Sequence, residues 1–373
     1  MKHLQSLGWA AVAGLACACG TSGGADRPAN TGGAAGTAGA AGADASASGG
    51  AGGGGTTDSG PPLGDLVGPE PGLKLALFGD QGNNANSRAL LKLIVDQGAD
   101  AVVHLGDFDY ADDPVAWGAL MAELGDIPWL AVVGNHDTDA WTGYREVIDQ
   151  QLAKFTAATC TGEPGVQHAC TFRGVHVMLS GIGLMGTGHE AFLEGQLASS
   201  KHVWRLCGWH LNQRDMQLGD KGDETGWDVH EVCQARGGII VNGHEHSYGR
   251  TLTLTDVGNS ASGHGATGPW DELRVALGST YLIVSGAGGQ SLRMYDAAEH
   301  DDDTWWAGGY ARDVRIDDGV RTDGLNLPAA GVVFLELGVD GNPRKARGKY
   351  QLVDGSVVDE WTTYVDTTGF SGG

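Results

Sequence analysis

From Leu73 onward, short runs rich in Val, Ile and Leu alternate with stretches in which apolar residues recur every three or four positions. The runs LKLALF, AVVHL, PWLAVV, VHVMLS, HVWRLCGW and GGIIV are short and nearly continuous in apolar character, which predicts strands buried on both faces. Between several of them, SRALLKLIVDQ, DPVAWGALMAEL, the stretch from Tyr144 to Phe155, AFLEGQLASS and GWDVHEVCQA carry helical spacing, and Asp113-Pro114 has the form of a helix start. After Arg250 the pattern changes to TLTLT, YLIVSG, VVFLEL, KYQLVD and SVVDEWTTY, separated by turns such as Asp340-Gly341 and Asp354-Gly355, so this half is mostly strand. Alternation of this kind predicts an α/β architecture with helices flanking sheet. Two sheets packed face to face with helices outside is the natural assembly, although periodicity alone does not select it over one doubly wound sheet. Residues 259–278 and the acidic segment around Asp301, Asp302 and Asp303 read as long loops, either the rim of an active site or solvated insertions.

Residues before Pro62 follow neither pattern. The opening MKHLQSLGWAAVAGLACACG joins a basic start at Lys2 to a short apolar run and small residues around Cys17 and Cys19, the layout of a secretory signal, and the run is too short for a stable membrane span. Its cysteines resemble the lipid-attachment site of bacterial lipoproteins but lack the leucine usual at the start of that motif, so simple cleavage and lipidation of Cys17 or Cys19 both stay open. From Gly20 to Pro61 the chain is almost all Gly, Ala, Ser and Thr, with too little apolar surface to offset the entropy of ordering it. The expected organisation is a signal over residues 1–19, a flexible tether over residues 20–66 and one catalytic domain over residues 67–373. Such a protein is exported, to the periplasm, to a membrane through a lipid, or outside the cell.

Removing the signal leaves Cys160, Cys170, Cys207 and Cys233, an even number in a chain bound for an oxidising compartment. Joining Cys160 to Cys170 closes the short polar loop TGEPGVQHA and is the favoured pairing, with Cys207 to Cys233 a weaker expectation. A zinc site is the rival reading, and no CxxC spacing supports it. The formal net charge of −23 and the lack of a basic stripe argue against nucleic acid as a partner.

Five short clusters of metal-ligand residue types each follow an apolar run: Gly79-Asp80-Gln81-Gly82, Gly106-Asp107-Phe108-Asp109-Tyr110, Gly134-Asn135-His136-Asp137, Trp209-His210 and Gly243-His244-Glu245-His246. Strand ends are where open α/β sheets place their sites, so the clusters can converge. Singly, each has a bland reading. Asp80 or Asn135 fills a cap or turn, His210 is a satisfied histidine and Tyr110 a core or rim residue. Five in order, each at the end of an expected strand, are hard to explain as turns, and His244 with His246 is the most metal-like pair.

The series GD, GDxxY, GNH, a lone His and GHxH resembles the calcineurin-like metallophosphoesterases, and its tyrosine is similar to that of the purple acid phosphatases. The resemblance runs from about Leu73 to Tyr364 and extends to Tyr110-Ala111-Asp112, Pro128-Trp129 and Ser247-Tyr248-Gly249-Arg250. It implies a four-layer sandwich, two mixed β-sheets packed face to face and flanked by helices, holding a pair of metal ions. By this resemblance the first ion takes Asp80, Asp107, Tyr110 and His246, and the second takes Asp107, Asn135, His210 and His244, with Asp107 bridging. Many superfamily members place a metal-binding His where this chain has Gly82, and Tyr110 supplies the replacement donor. The ion on Tyr110 is then Fe3+, suited to a hard phenolate, and the other is Fe2+, Zn2+ or Mn2+.

The chemistry so implied is hydrolysis of small phosphate monoesters by a metal-bound hydroxide. His136 would stabilise the phosphate and protonate the leaving group, with Asn135 and Arg250 as further substrate contacts. A phosphodiesterase or nucleotidase would use the same site, and a non-catalytic surface-binding protein on this scaffold is the alternative from another class. Asp137 either orients His136 or serves a turn, and Arg250 either touches phosphate or forms a structural ion pair. After the lone His the family often carries a proline and polar residues bordering the leaving group. Here Leu211-Asn212-Gln213 stands instead, which leaves substrate choice open. Because the chain is acidic overall, attraction of an anionic ester must come from cations inside the site.

Overall fold

Alternation along each strand decides which layers meet. In β1 (Leu73–Phe78), Leu73, Leu75 and Leu77 enter one core while Ala76 and Phe78 enter another. Both faces are therefore dry, as expected for central strands that read as continuous apolar runs. The computed structural model describes residues 62–370 apart from residue 329; the signal, Cys17, Cys19 and the tether up to Pro61 lie outside the described residues.

The strands form two sheets. One has seven strands in the order β10 (Glu272–Val275), β17 (Val357–Val365), β16 (Lys345–Leu352), β15 (Gly331–Leu337), β1, β2 (Ala101–His104) and β3 (Trp129–Ala131). The other has ten, in the order β14 (Val320–Thr322), β13 (Arg315–Asp317), β12 (Trp306–Tyr310), β9 (Tyr248–Thr251), β11 (Leu282–Ser285), β8 (Ile239–Asn242), β7 (Trp204–Trp209), β6 (Val175–Ser180), β5 (Gln167–Phe172) and β4 (Ala158–Glu163). Within these mixed sheets, β1, β2 and β3 run parallel, as do β6, β7, β8 and β11.

Leu75, Leu77 and Val103 from one sheet meet Val177, Leu206 and Val241 from the other in the central core. Each such side chain removed from water contributes about 1.5–3 kcal/mol before ordering costs. On the outer face of the seven-stranded sheet, α1 (Ala85–Asp96), α2 (Pro114–Met121) and α3 (Trp141–Lys154) bury Leu90, Ile94, Trp117, Tyr144 and Ile148. On the outer face of the ten-stranded sheet, α4 (His189–Ser199) and α5 (Asp228–Ala235) bury Leu193, Leu197, Val229 and Cys233. The result is the four-layer α/β sandwich, helices outside and two mixed sheets inside. Local signals fix the helix starts: Asn84 Oδ1 accepts from Asn86 N and Ser87 N at 2.9 and 3.1 Å, and Asp113 Oδ1 accepts from Ala116 N at 2.9 Å ahead of Pro114.

Several expectations are corrected. The polar stretch between Cys160 and Cys170 is the β4–β5 hairpin, with the two cysteines directly opposite and joined by a disulfide. A second disulfide joins Cys207 on β7 to Cys233 on α5. The strand expected at TLTLT lies earlier, at Tyr248–Thr251, while Thr253 and Leu254 make only isolated bridges. Residues 259–278 are not all loop, since β10 pairs parallel with β17 there. In the acidic segment, Asp303 accepts from Trp306 Nε1 at 2.9 Å and lies 2.9 Å from His300 Nδ1, so it serves a local fold. The expected tether ends too late, because Leu63 and Leu66 pack against the central core.

Candidate metal centre

The five motifs sit just past the C-terminal ends of β1, β2, β3, β7 and β8, three from one sheet and two from the other. Backbone hydrogen bonds stitch these ends together: Gly79 N donates to Ser285 O at 2.8 Å, Asp80 N to Gly106 O at 3.0 Å and Gly243 N to His210 O at 3.2 Å. The turns are strained where side chains must point inward. Asp80, Asp107, Tyr110 and His244 have φ of 60°, 56°, 59° and 68°. A non-glycine residue pays about 1–3 kcal/mol for such a conformation, and four of them at one place mark a site whose geometry the fold over-determines.

All seven expected donors meet. On one side Tyr110 Oη lies 3.1 Å from Asp80 Oδ1 and 2.9 Å from His246 Nε2, and His246 Nε2 lies 3.4 Å from Asp80 Oδ1. On the other side His210 Nε2 lies 3.2 Å from Asp107 Oδ1, 3.1 Å from Asn135 Oδ1 and 3.2 Å from His244 Nδ1. Asp107 also interacts with the Tyr110 hydroxyl and so belongs to both groups. The ligating atoms of Asp107, His210 and His244 fall within 4.8 Å of one another.

The electrostatics suit cations. Asp80 and Asp107 are buried, and among the described residues no lysine or arginine pairs with either. Burial would raise Asp107, but His210 beside it holds it well below the usual carboxylate range. Burial would likewise lower His210, yet Asp107 and then Asp80 lift it to about 9. Burial pushes the Tyr110 phenol far above its ordinary value, and Asp80 and Asp107 push it further. Three acidic oxygen donors, an amide oxygen and three imidazoles converging without a fixed cation are a chemically coherent set for two metal ions.

The neighbouring residues divide into several roles. The exposed His136 packs its ring 4.5 Å from that of Tyr110, and its N–H donates to Asp107 Oδ1 at 2.9 Å. Asp137 does not orient His136. Its buried carboxylate accepts from Asp107 N, Phe108 N and Gly134 N at 2.9, 2.8 and 2.7 Å, tying the second motif to the third. Arg250 is not a phosphate contact, because it is buried and its Nε and NH2 donate to Asp359 at 2.7 and 2.9 Å. The reason is topological: β9 turns Arg250 inward against β17. Leu211, Asn212 and Gln213 are buried, and Asn212 Oδ1 accepts from Glu245 N at 3.1 Å, so this segment braces the fifth motif. At Gly82, φ is +66° and the Gln290 amide occupies the space a side chain would enter.

Sequence reasoning missed Glu224, whose Oε2 lies 2.7 Å from His244 Nε2. It sits in the irregular DKGDETGW segment, which offers no periodic signal. It also missed a pocket beside His246 lined in part by Arg293 and Arg312.

Comparison with known proteins agrees with this geometry. Residues 63–248 match the family described as calcineurin-like phosphoesterase. Among solved structures, purple acid phosphatase PPD1 from yellow lupin (Lupinus luteus) is similar at TM-score 0.58 and 18% identity over 81% of this chain and 56% of the lupin chain. PhoD is similar at TM-score 0.52 and 12% identity over 82% of this chain and 72% of PhoD. This chain thus spans little more than half the length of the lupin protein, and at these identities the likeness is one of fold. With the family match running through all five motifs as far as Tyr248, the chain belongs to the calcineurin-like phosphoesterase family.

Proposed function

We propose that this protein is an exported two-metal phosphomonoesterase. The observation that carries the reading is the meeting of seven donors from five strand ends as two groups sharing Asp107. Asp80, Asp107, Tyr110 and His246 would hold one ion, and Asp107, Asn135, His210 and His244 the other. A bound pair supplies an activated water and offsets charge on the phosphoryl oxygens. The hard phenolate oxygen of Tyr110 suits Fe3+, the ion expected there from the resemblance to purple acid phosphatases, and the second position would take Fe2+, Zn2+ or Mn2+.

The protein's own groups do the rest. His136, exposed at the mouth beside Tyr110, can hold a phosphoryl oxygen and give a proton to the leaving oxygen. Its backbone N–H and the Asp137 carboxylate fix Asp107 and the third motif in place. Asn135 turns its amide oxygen toward His210, leaving its amide nitrogen for the ester. Export rests on the signal-like residues 1–19, with Cys17 and Cys19 as lipid-attachment candidates, and two disulfides fit an oxidising compartment.

The purified protein, loaded with iron and zinc, is expected to bind two ions per chain and to cleave a chromogenic phosphate monoester faster than the matching diester. Asp107→Ala and His244→Ala should each lower kcat/KM by roughly a thousandfold or more. A visible absorption band from tyrosinate on ferric iron should disappear in Tyr110→Phe. Undiminished turnover by either alanine variant would overturn the reading.

A further inference from the structure

With Arg250 held inside the fold by Asp359, the cations that border the centre must be sought elsewhere. A pocket of about 590 Å³ opens beside His246, and Arg293 and Arg312 line it together with Met294, Tyr295, Asp220 and Asp296. Its wall is built on the ligand loop itself: Arg293 N donates to His246 O at 3.0 Å, and Arg312 N to Arg293 O at 2.8 Å. Both guanidinium groups have unused donors. The Nε of Arg293 is buried without a hydrogen-bond partner, since Glu245 Oε2 and Asp220 Oδ1 lie 3.7 and 3.6 Å from its guanidinium. Arg312 sets its Nε 3.0 Å from Met294 Sδ and forms no ion pair among the described residues. In a chain with 46 acidic and 23 basic side chains, carboxylate partners are plentiful, so two incompletely paired arginines in one pocket are informative.

We propose that this pocket receives the alcohol portion of the ester, with Arg312 and Arg293 binding one anionic substituent on it, a carboxylate or a second phosphate. The inference rests on the phosphomonoesterase reading and names its substrate class: phosphate monoesters of alcohols that carry a negative charge of their own. Asp220 and Asp296 in the same lining offset part of the arginines' charge, which favours one anionic group over a polyanion. Met294, about half exposed, and Tyr295 offer apolar surface for the carbon skeleton between the two anionic ends.

The test compares phenyl phosphate with 4-(carboxymethyl)phenyl phosphate and 4-(phosphonomethyl)phenyl phosphate, whose phenols leave with closely matched basicity. The metal-loaded enzyme should prefer one or both charged esters by about tenfold or more in kcat/KM, expressed in KM. Arg312→Ala should bring that ratio toward one, and Arg312→Lys should restore part of it. Which charged ester is preferred distinguishes a carboxylate from a phosphate. In parallel, calorimetry measures Kd for benzylphosphonate and 4-(carboxymethyl)- and 4-(phosphonomethyl)benzylphosphonate. Preferential binding of a charged ligand that Arg312→Ala abolishes, without turnover of any ester, would retain the pocket and reject the hydrolase. Turnover or binding with no charged preference, or a preference that Arg312→Ala leaves intact, would reject the pocket.

Discussion

The imidazole of His244 has two nitrogens with different neighbours, Nδ1 at 3.2 Å from His210 Nε2 and Nε2 at 2.7 Å from Glu224 Oε2. A carboxylate this close to Nε2 favours the tautomer protonated there, which leaves the Nδ1 lone pair facing the donor group of Asp107, Asn135 and His210. Glu224 is thus a positioning residue whose effect is confined to one half of the centre. Its loop is anchored for that task, with Glu224 N donating to Asn212 O at 3.1 Å. Replacing Glu224 with Ala should weaken the ion held by Asp107, Asn135, His210 and His244 by roughly 10- to 100-fold in chelator competition, with Gln intermediate. The other ion and the tyrosinate band should persist. Equal release of both ions, or of neither, would show that Glu224 merely fills space.

The strand ends do their work through close backbone approach, and among the glycines of the five motifs Gly134 is the tightest point. A Cβ there would stand 2.2 Å from both Asp107 N and Asp107 Oδ1, so Gly134→Ala must push the second motif away from the third. Activity should fall by roughly a hundredfold or more, and metal stoichiometry with it. By contrast Gly195, in the middle of α4, has nothing within 4 Å of the place a methyl group would take, and Gly195→Ala should raise stability by about 1 kcal/mol with metal content unchanged. Matching metal content in the two variants would refute this account of Gly134. These elements are legible in the sequence because β1, β2, β3, β7 and β8 are buried on both faces and announce themselves as apolar runs. The β4–β5 hairpin is not, since β4 is an edge strand with mostly exposed residues and carries no apolar alternation. Arg250 escapes a sequence reading for another reason: its partner Asp359 is 109 residues away, and only the sheet-to-sheet packing brings them together. Glu224 lies much nearer in sequence to its partner His244, but its irregular segment has no strand to mark it.

Acid stability follows from how the whole chain distributes its histidines. Outside the centre, burial lowers His168, His176 and His230 to about 4, and lowers His189, His202 and His264 as well, whereas His300 is raised by Asp303 against the effect of burial. Unfolded histidines take up protons near pH 6.5, while His168, His176 and His230 in the native protein stay neutral until about pH 4. Between those values the unfolded state binds more protons, so stability falls as pH falls, by up to about 1.4 kcal/mol per pH unit for each such histidine. His300 works in the opposite direction, as do the carboxyls of Asp137 and Glu245, which burial raises to about 8 and about 7, but these three stand against the six lowered histidines and His104, which burial lowers to about 3. The net charge of −23 does not reverse this, because most carboxylates stay ionised down to about pH 5 and the self-repulsion changes little above it. Denaturation midpoints of the metal-loaded protein, measured with both metals in excess, should therefore drop steadily from pH 7 to pH 5. His230 is the place to check the cause, since it is enclosed by Trp209 and Trp227 at ring distances of 4.9 and 5.5 Å and meets Gly226 O through Nδ1 at 3.1 Å. His230→Leu costs stability at every pH by leaving that carbonyl unpaired, yet it should shallow the slope below pH 6.5. A slope as steep as in the parent protein would assign the acid sensitivity to the centre's own ligands instead.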